Sequence, residues 1–218
     1  MMLRRIILLG AFVFCSVSAV VANAHEGPTF KKSIPTDAVR FVSAFSTDSR
    51  VGTMLFENLI VGTELGRGDL PSVHTKQFSY VLQPENKDEV NVVQIVRGFV
   101  NTQGSGNASL MIHTGGRAVV VDWKKAIAAA KGAVDPKFTE LKKTIRDKDM
   151  KAAVASNATE KFDDFMIELK RQVPLGKPLQ TTFVLLVDRL TGEDGSGSMI
   201  AIDSIDLEVM PKKATKKD

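Results

Sequence analysis

The only cysteine in this chain, Cys15, sits inside an apolar leader, and that placement constrains the fold more than any other feature. Arg4 and Arg5 open the leader, Ile6–Val21 is an apolar run, and Ala22-Asn23-Ala24 ends it with small residues at both selective positions. This is the pattern of a secretory signal peptide cut before His25. Gly10, Ser16 and Ser18 interrupt the run, which is too short to read as a membrane span. Phe14 is too bulky to precede a lipoprotein cysteine, and the arginines lack the polar setting of a twin-arginine signal. The expectation is a periplasmic or extracellular protein, not an integral membrane protein, that folds without a disulfide. Exported domains with small cores are usually disulfide-dense, so this one must rest on packing. A mature chain of roughly 190 residues is large enough for one such core.

From Ala38 the sequence reads as strands. Ala38–Phe45, Thr53–Val61, Gln77–Leu82, Val90–Asn101, Ala108–His113 and Arg117–Asp122 are short runs rich in Val, Ile, Phe and Leu. Polar, Gly-rich segments separate them, and Gly104–Asn107 and Gly115-Gly116 read as hairpin turns. Strand texture returns at Leu179–Leu190 and Met199–Val209, joined across Glu193–Gly197 as a turn. Leu179–Leu190 is apolar on both faces and so predicts cover on both. On the last strand Ile200 and Ile202 are out of phase with Ile205 and Leu207. A bulge at Asp203-Ser204 would produce that switch.

Between these strand regions the texture differs. Lys124–Ala130 and Lys137–Lys148 are Ala- and Lys-rich, and Phe162, Phe165, Met166, Leu169 and Val173 recur at offsets of three and four. That stripe predicts an amphipathic helix over Thr159–Val173, ended by Pro174. The expected architecture is therefore mainly β: an antiparallel β-sandwich, jelly-roll-like, with a helical insertion. Its parts are a signal peptide over 1–24, a single sandwich domain over 25–210 with the insertion at about 124–173, and a basic flexible tail over 211–218. His25–Pro35 reads as an irregular arm.

Charge is segregated. Residues 25–123 with 174–211 carry a net −5, 124–173 carry +4, and the tail 212–218 carries +3. Such segregation fits internal docking or an anionic partner. The basic run lacks interleaved aromatics, which speaks against nucleic acid.

Motifs with catalytic chemistry are missing. His25, His74 and His113 are scattered, with no HExxH and no cysteine to complete a zinc set. Ser105, Ser196 and Ser198 lie in Gly-rich segments but not in G-x-S-x-G. No catalytic residue, resident metal or cofactor is assigned. Asp188, Asp194, Asp203 and Asp206, with Glu193, fall close together in sequence and form the candidate ligand-binding set. Their oxygens suit calcium, yet strand alternation splits them and the spacing is not that of an EF-hand. Tyr80 and Trp123 are single residues, few for a sugar-stacking surface, and Trp123 reads as a packing anchor. Asn107-Ala108-Ser109 and Asn157-Ala158-Thr159 are glycosylation sequons.

Three stretches in order carry a resemblance. Ser46-Thr47-Asp48 with Met54-Leu55-Phe56-Glu57-Asn58, then Val96-Arg97-Gly98-Phe99-Val100-Asn101, then Gly197 through Ile202-Asp203-Ser204-Ile205-Asp206-Leu207 follow one pattern. It is similar to that of a family of small secreted domains of unknown function from filamentous fungi and actinobacteria. The resemblance frames most of 38–123 and 179–210 and implies a secreted β-sandwich. It transfers no activity, and this chain departs from the family by lacking paired cysteines and by carrying the long Lys124–Val173 segment.

Three functions fit these observations. The first is a non-enzymatic binding or interaction module whose partner is a carbohydrate or another protein. The second is a hydrolase of an extracellular polymer using the C-terminal carboxylates, and the third a calcium-stabilised envelope protein. An acid-lined cleft would favour the second; dispersed acids on a flat sandwich favour the first.

Overall fold

The computed structural model describes residues 29–35, 41–47, 49–63, 71–85, 88–125, 139–140, 148–156, 162–190 and 196–211, with backbone alone for 29–35, 139–140 and 155–156. These form thirteen strands: β1 (Thr29–Pro35), β2 (Phe41–Phe45), β3 (Val51–Phe56), β4 (Ile60–Gly62), β5 (Ser72–Glu85), β6 (Val90–Gln103), β7 (Gly106–Thr114), β8 (Arg117–Asp122), β9 (Thr139–Glu140), β10 (Met150–Ser156), β11 (Asp163–Val173), β12 (Leu179–Arg189) and β13 (Gly197–Pro211). All described pairings are antiparallel. One sheet has the order β1-β5-β12-β7-β8. The other runs β2-β3-β13-β6-β11-β10-β9, with β4 also on β13.

The two sheets pack face to face as a sandwich. Partners β3/β13, β5/β12, β6/β11 and β7/β8 are successive antiparallel pairs of one long ribbon rolled over itself, the strand order of a jelly roll. Alternation in the sequence explains the layering. Along β12 the odd positions Leu179, Thr181, Phe183, Leu185 and Val187 are buried, while Gln180 is exposed and the other even positions are only partly buried. Inward residues of both sheets form one core, in which Phe183, Leu185 and Val187 of one sheet join Phe165, Ile167, Leu169, Ile205 and Leu207 of the other. An aromatic series crosses one side of it. Phe56 meets Phe78 edge-on at 4.9 Å, Phe78 contacts Tyr80 at 5.7 Å, and Tyr80 contacts Phe183 at 6.1 Å. On the other side Trp123 stacks on Phe165 at 4.6 Å.

The expected helical insertion over 124–173 is not what the described part of that stretch forms. Trp123–Lys125 makes one helical turn, with the Asp122 carboxylate accepting from the Lys125 amide at 3.1 Å as an N-cap does. Apart from the turn at Lys148-Asp149 and Phe162, the rest that is described is strand: β9, β10 and β11. Residues 163–173 satisfy two periods at once. Offsets of three and four link Phe165, Met166, Leu169 and Val173, while offsets of two link Phe165, Ile167, Leu169 and Val173. The buried Arg171 at the remaining inward position disguised the second pattern. The structure chooses the strand because β6 needs a partner on its free side, and β11 pairs with it from Val173↔Val90 to Asp163↔Val100.

Three smaller readings change. The lead expected as an irregular arm contains β1, which pairs with β5 through Ile34↔Val81 and Pro35↔Tyr80. The predicted strand Thr53–Val61 is broken between β3 and β4, where Leu59 turns into the core. The hairpins read at Gly104–Asn107 and between the last two strands are crossings from one sheet to the other, because β6 and β13 lie in one sheet and β7 and β12 in the other. The Gly115-Gly116 hairpin is as read. Both glycines have positive φ, 58° and 74°, as a two-residue turn with right-handed strand twist requires. The bulge is where the phase of the apolar residues placed it: the β13–β6 register shifts between Ile202 and Ser204.

Candidate functional site

The four candidate acids do not share a face. Asp188 lies on the outer side of the five-stranded sheet, beside Asn107 and Val73 on the neighbouring strands. Burial, and after it the Asp122 carboxylate, push its carboxyl above the usual value, against the pull of Lys124. Asp203 and Asp206 belong to β13, in the other sheet. Asp203 is the extra residue of the bulge, and partial desolvation followed by the nearby Asp164 carboxylate raises its carboxyl too. Asp206 is engaged: Thr53 Oγ1 donates to Oδ1 at 2.7 Å and Arg97 pairs with Oδ2. Asp194 and Glu193 lie outside the described residues. Among the described residues no three His, Cys, Asp or Glu side chains gather around a point fit for a metal ion.

The serines of interest stitch the corner where the chain changes sheets. The Ser105 amide donates to Ser196 Oγ at 3.1 Å, Ser105 Oγ donates to the Leu190 carbonyl at 3.1 Å, and Ser198 Oγ donates to the Asp188 carbonyl at 3.0 Å. Ser196 and Ser198 are buried. These bonds tie β6→β7 to β12→β13, so the hydroxyls serve the fold. Ser198 also exchanges bonds with Thr63, whose Oγ1 accepts from the Ser198 amide at 2.8 Å.

A polar chain inside the core had no counterpart in the sequence reading. Tyr80 Oη donates to Gln94 Oε1 at 2.9 Å, Gln94 Nε2 donates to Thr181 Oγ1 at 3.1 Å, and Thr181 Oγ1 lies 2.8 Å from Thr114 Oγ1. All four residues are fully buried. Arg171 closes the chain, donating from Nε to the Thr114 carbonyl at 3.4 Å. Burial pushes the Tyr80 phenol far above its ordinary value, so it stays a donor. The chain spans both sheets, from β5, β7 and β12 to β6 and β11, and fixes their relative register, since a slipped sheet would orphan these groups. The signal available in the sequence was Gln94 and Arg171 standing at apolar positions of otherwise alternating strands.

The two outer faces differ in chemistry. That of the eight-stranded sheet carries Lys151 paired with Glu168 at 3.8 Å, the Arg97–Asp206 pair, and Asp164, Lys170 and Glu208 at further outward positions. Such mixed charge is what a solvated surface carries. The five-stranded sheet presents rows instead. Gln77, Val184, Met111 and Val120 stand side by side across four strands, flanked by Thr75, Leu186, Ser109 and Asp122 on one side and by Ser79, Thr182, His113 and Ala118 on the other. From Val73 to Gln83 on β5, Gln180 to Leu186 on β12, Asn107 to His113 on β7 and Ala118 to Val120 on β8, no outward position holds Lys, Arg, Asp or Glu. Val73, Val120 and Met111 are 64%, 56% and 40% exposed. No described helix or third sheet lies over this face, so among the described residues the cover predicted from the two apolar sides of β12 is present on one side only.

Neither Trp123 nor Tyr80 can meet a sugar, because both are fully buried, and Trp123 is the packing anchor its position suggested. Asn107 stands within β7, its Oδ1 buried and without a hydrogen-bond partner among the described residues, whereas the Asn157 sequon lies outside them. Of the basic segment, Lys124 Nζ donates to the Gly104 carbonyl at 2.7 Å, Lys125 pairs with Asp122 at 3.3 Å, and Arg117, just before it, pairs with Asp149 at 2.8 Å. These contacts are internal.

No known family matches the chain by sequence profile, and no curated protein matches it. Among solved structures, it is similar to TmCBM61 in complex with β-1,4-galactotriose, at 12% identity over 84% of this chain and 91% of that one, with a TM-score of 0.24. No helix among the described residues is long and apolar enough to cross a membrane.

Proposed function

We propose that this protein is an exported, non-enzymatic interaction module that binds a protein surface through the outer face of its five-stranded sheet. The observation that carries the reading is the charge depletion of that face beside the ion-paired face opposite. Loss of charged residues with retained Met and aliphatic side chains marks the core of interfaces, and contiguous exposed apolar area marks binding sites. The hydrolase alternative needs two acids across a cleft. Asp188 stands on one sheet and Asp203 and Asp206 on the other, which disfavours it. A carbohydrate partner would ordinarily be met by exposed Trp or Tyr, and the only two are in the core.

A photo-crosslinking residue at Val120 tests this in producing cells, with one at Glu208 on the charged face as control. Protein adducts from position 120 and none from 208 are expected. Adducts from 208 alone, or from neither, would overturn the reading. So would a soluble oligosaccharide that the purified protein binds and a Val184→Lys variant does not.

A further inference from the structure

We infer that β2 is a strand-addition site, where an extended segment of another protein pairs with the open edge of the eight-stranded sheet; this surface is separate from the face described above. The backbone fixes which groups are on offer. Hydrogen-bonded and non-bonded pairs alternate along an antiparallel ladder. The Ser46 amide donates to the Val51 carbonyl at 2.8 Å, and the register carries that pattern on to Ala44↔Thr53 and Val42↔Leu55. On the far side of β3 the Val209 amide donates to the Arg50 carbonyl at 3.0 Å, which gives the even positions of β3 to β13 and leaves the odd ones for β2. The N–H and C=O groups of Phe41 and Ser43 therefore point out of the sheet, and among the described residues no strand lies beyond them. Composition is the second argument. Sheet edges are ordinarily blunted by charge, proline, bulges or brevity. β1 carries Lys31, Lys32, Pro35 and a register shift between Phe30 and Lys32, β8 starts and ends on Arg117 and Asp122, and β9 has two residues. β2 reads Phe-Val-Ser-Ala-Phe, with no charge, no proline and an unbroken register, and it is exposed from Val42 to Phe45. The occupant follows from these groups. Among protein elements, a row of outward N–H and C=O groups is matched by another extended backbone, whose alternate side chains then lie beside Val42 and Ala44 on the outer side and Ser43 on the inner. The edge is about 17 Å long and about 10 Å deep, from the rise per residue and the spacing of stacked sheets. Two folded copies meeting along it would fall far short of the ~1,200 Å² of a stable pair. A pliant segment instead binds through main-chain bonds that need only the edge.

A phage-displayed library of random decapeptides, selected on the purified protein, tests the inference. Enrichment of peptides with alternating apolar residues is expected. Ser43→Pro removes an amide that bonds to nothing within the sheet, so the fold is kept, yet it takes a donor from the edge and sets a ring in the path of the incoming strand. It should weaken the enriched peptides at least tenfold with circular dichroism unchanged. Ser43→Lys, which keeps the amide and puts a charge on the edge, repeats the test should the proline variant fold poorly. In hydrogen exchange, bound peptide should slow the Ser43 amide at least tenfold and the Ala44 amide, already bonded to β3, far less. No enrichment, peptides that bind both variants as tightly as wild type, or an unchanged Ser43 exchange rate would overturn the inference. So would a wild-type dimer that Ser43→Pro dissolves, since the occupant would then be a second copy. The crosslink at Val120 reports on the other surface and should be the same in Ser43→Pro, so either reading can fail without the other.

Discussion

At the scale of single residues, the contacts that matter most pair positions far apart in sequence. Trp123 and Phe165 stack at 4.6 Å, and both are essentially buried. Phe165→Ala removes one ring of that stack and leaves a cavity against the indole. The expected loss is about 3–5 kcal/mol, read as a fall in the denaturant midpoint at unchanged m-value. Asp203 makes a different prediction. Its carboxyl is raised in the folded state, so the native protein holds that proton more tightly than the unfolded chain. The ionised carboxylate therefore costs stability, and the cost disappears as pH falls through the folded value toward the ordinary range near about 4. Asp203→Asn should stabilise the protein at neutral pH, and the gain over wild type should shrink in acid. Thermal melts at pH 7 and pH 3.5 check it; an equal gain at both would show that the charge is not the cause.

Elements depend on how closely their backbones approach. Gly98 of β6 lies where the β13 bulge shifts the register, opposite Ile202 and Phe165. A Cβ there would stand 2.0 Å from the Ala201 carbonyl oxygen and 2.8 Å from Phe165 Cζ. Gly98→Ala should thus force apart the two best-paired strands of the larger sheet and destabilise by about 1–3 kcal/mol or more, measured by chemical denaturation. The element-scale misreading has the same origin. Residues 163–173 satisfy both helical and strand periods, and no rule of spacing separates them when Arg171 takes an inward place. What separates them is a neighbouring strand with an open edge and a glycine that admits the Phe165 ring. By contrast the bulge at Asp203 was legible, because a face switch within one strand leaves its mark on the sequence itself. Which acids share a face was not legible, because β12 and β13 are adjacent in sequence yet belong to different sheets.

For the whole molecule, the proposed export is the reading that rests most directly on residue order. N-terminal sequencing of exported material should begin at His25; an intact Met1 on protein kept in the cytoplasm would refute the leader. An apolar run, its flanking arginines and a small-residue end are local patterns read by machinery that meets the chain before it folds. Strand texture, turn chemistry and the absence of a disulfide are local or compositional in the same way, so the β-rich sandwich follows from them. Tertiary structure alone decided the rest: that 163–173 is strand, that Gln94 and Arg171 are satisfied by Tyr80, Thr181 and Thr114, and that the middle of one outer face is free of charge while the other is laced with it. Each of these depends on which strands become neighbours. Thr53 and Asp206, 153 residues apart, bond across one such pairing. Chain order cannot specify such partners locally, because they are chosen by the packing free energy of two sheets closing on a shared core.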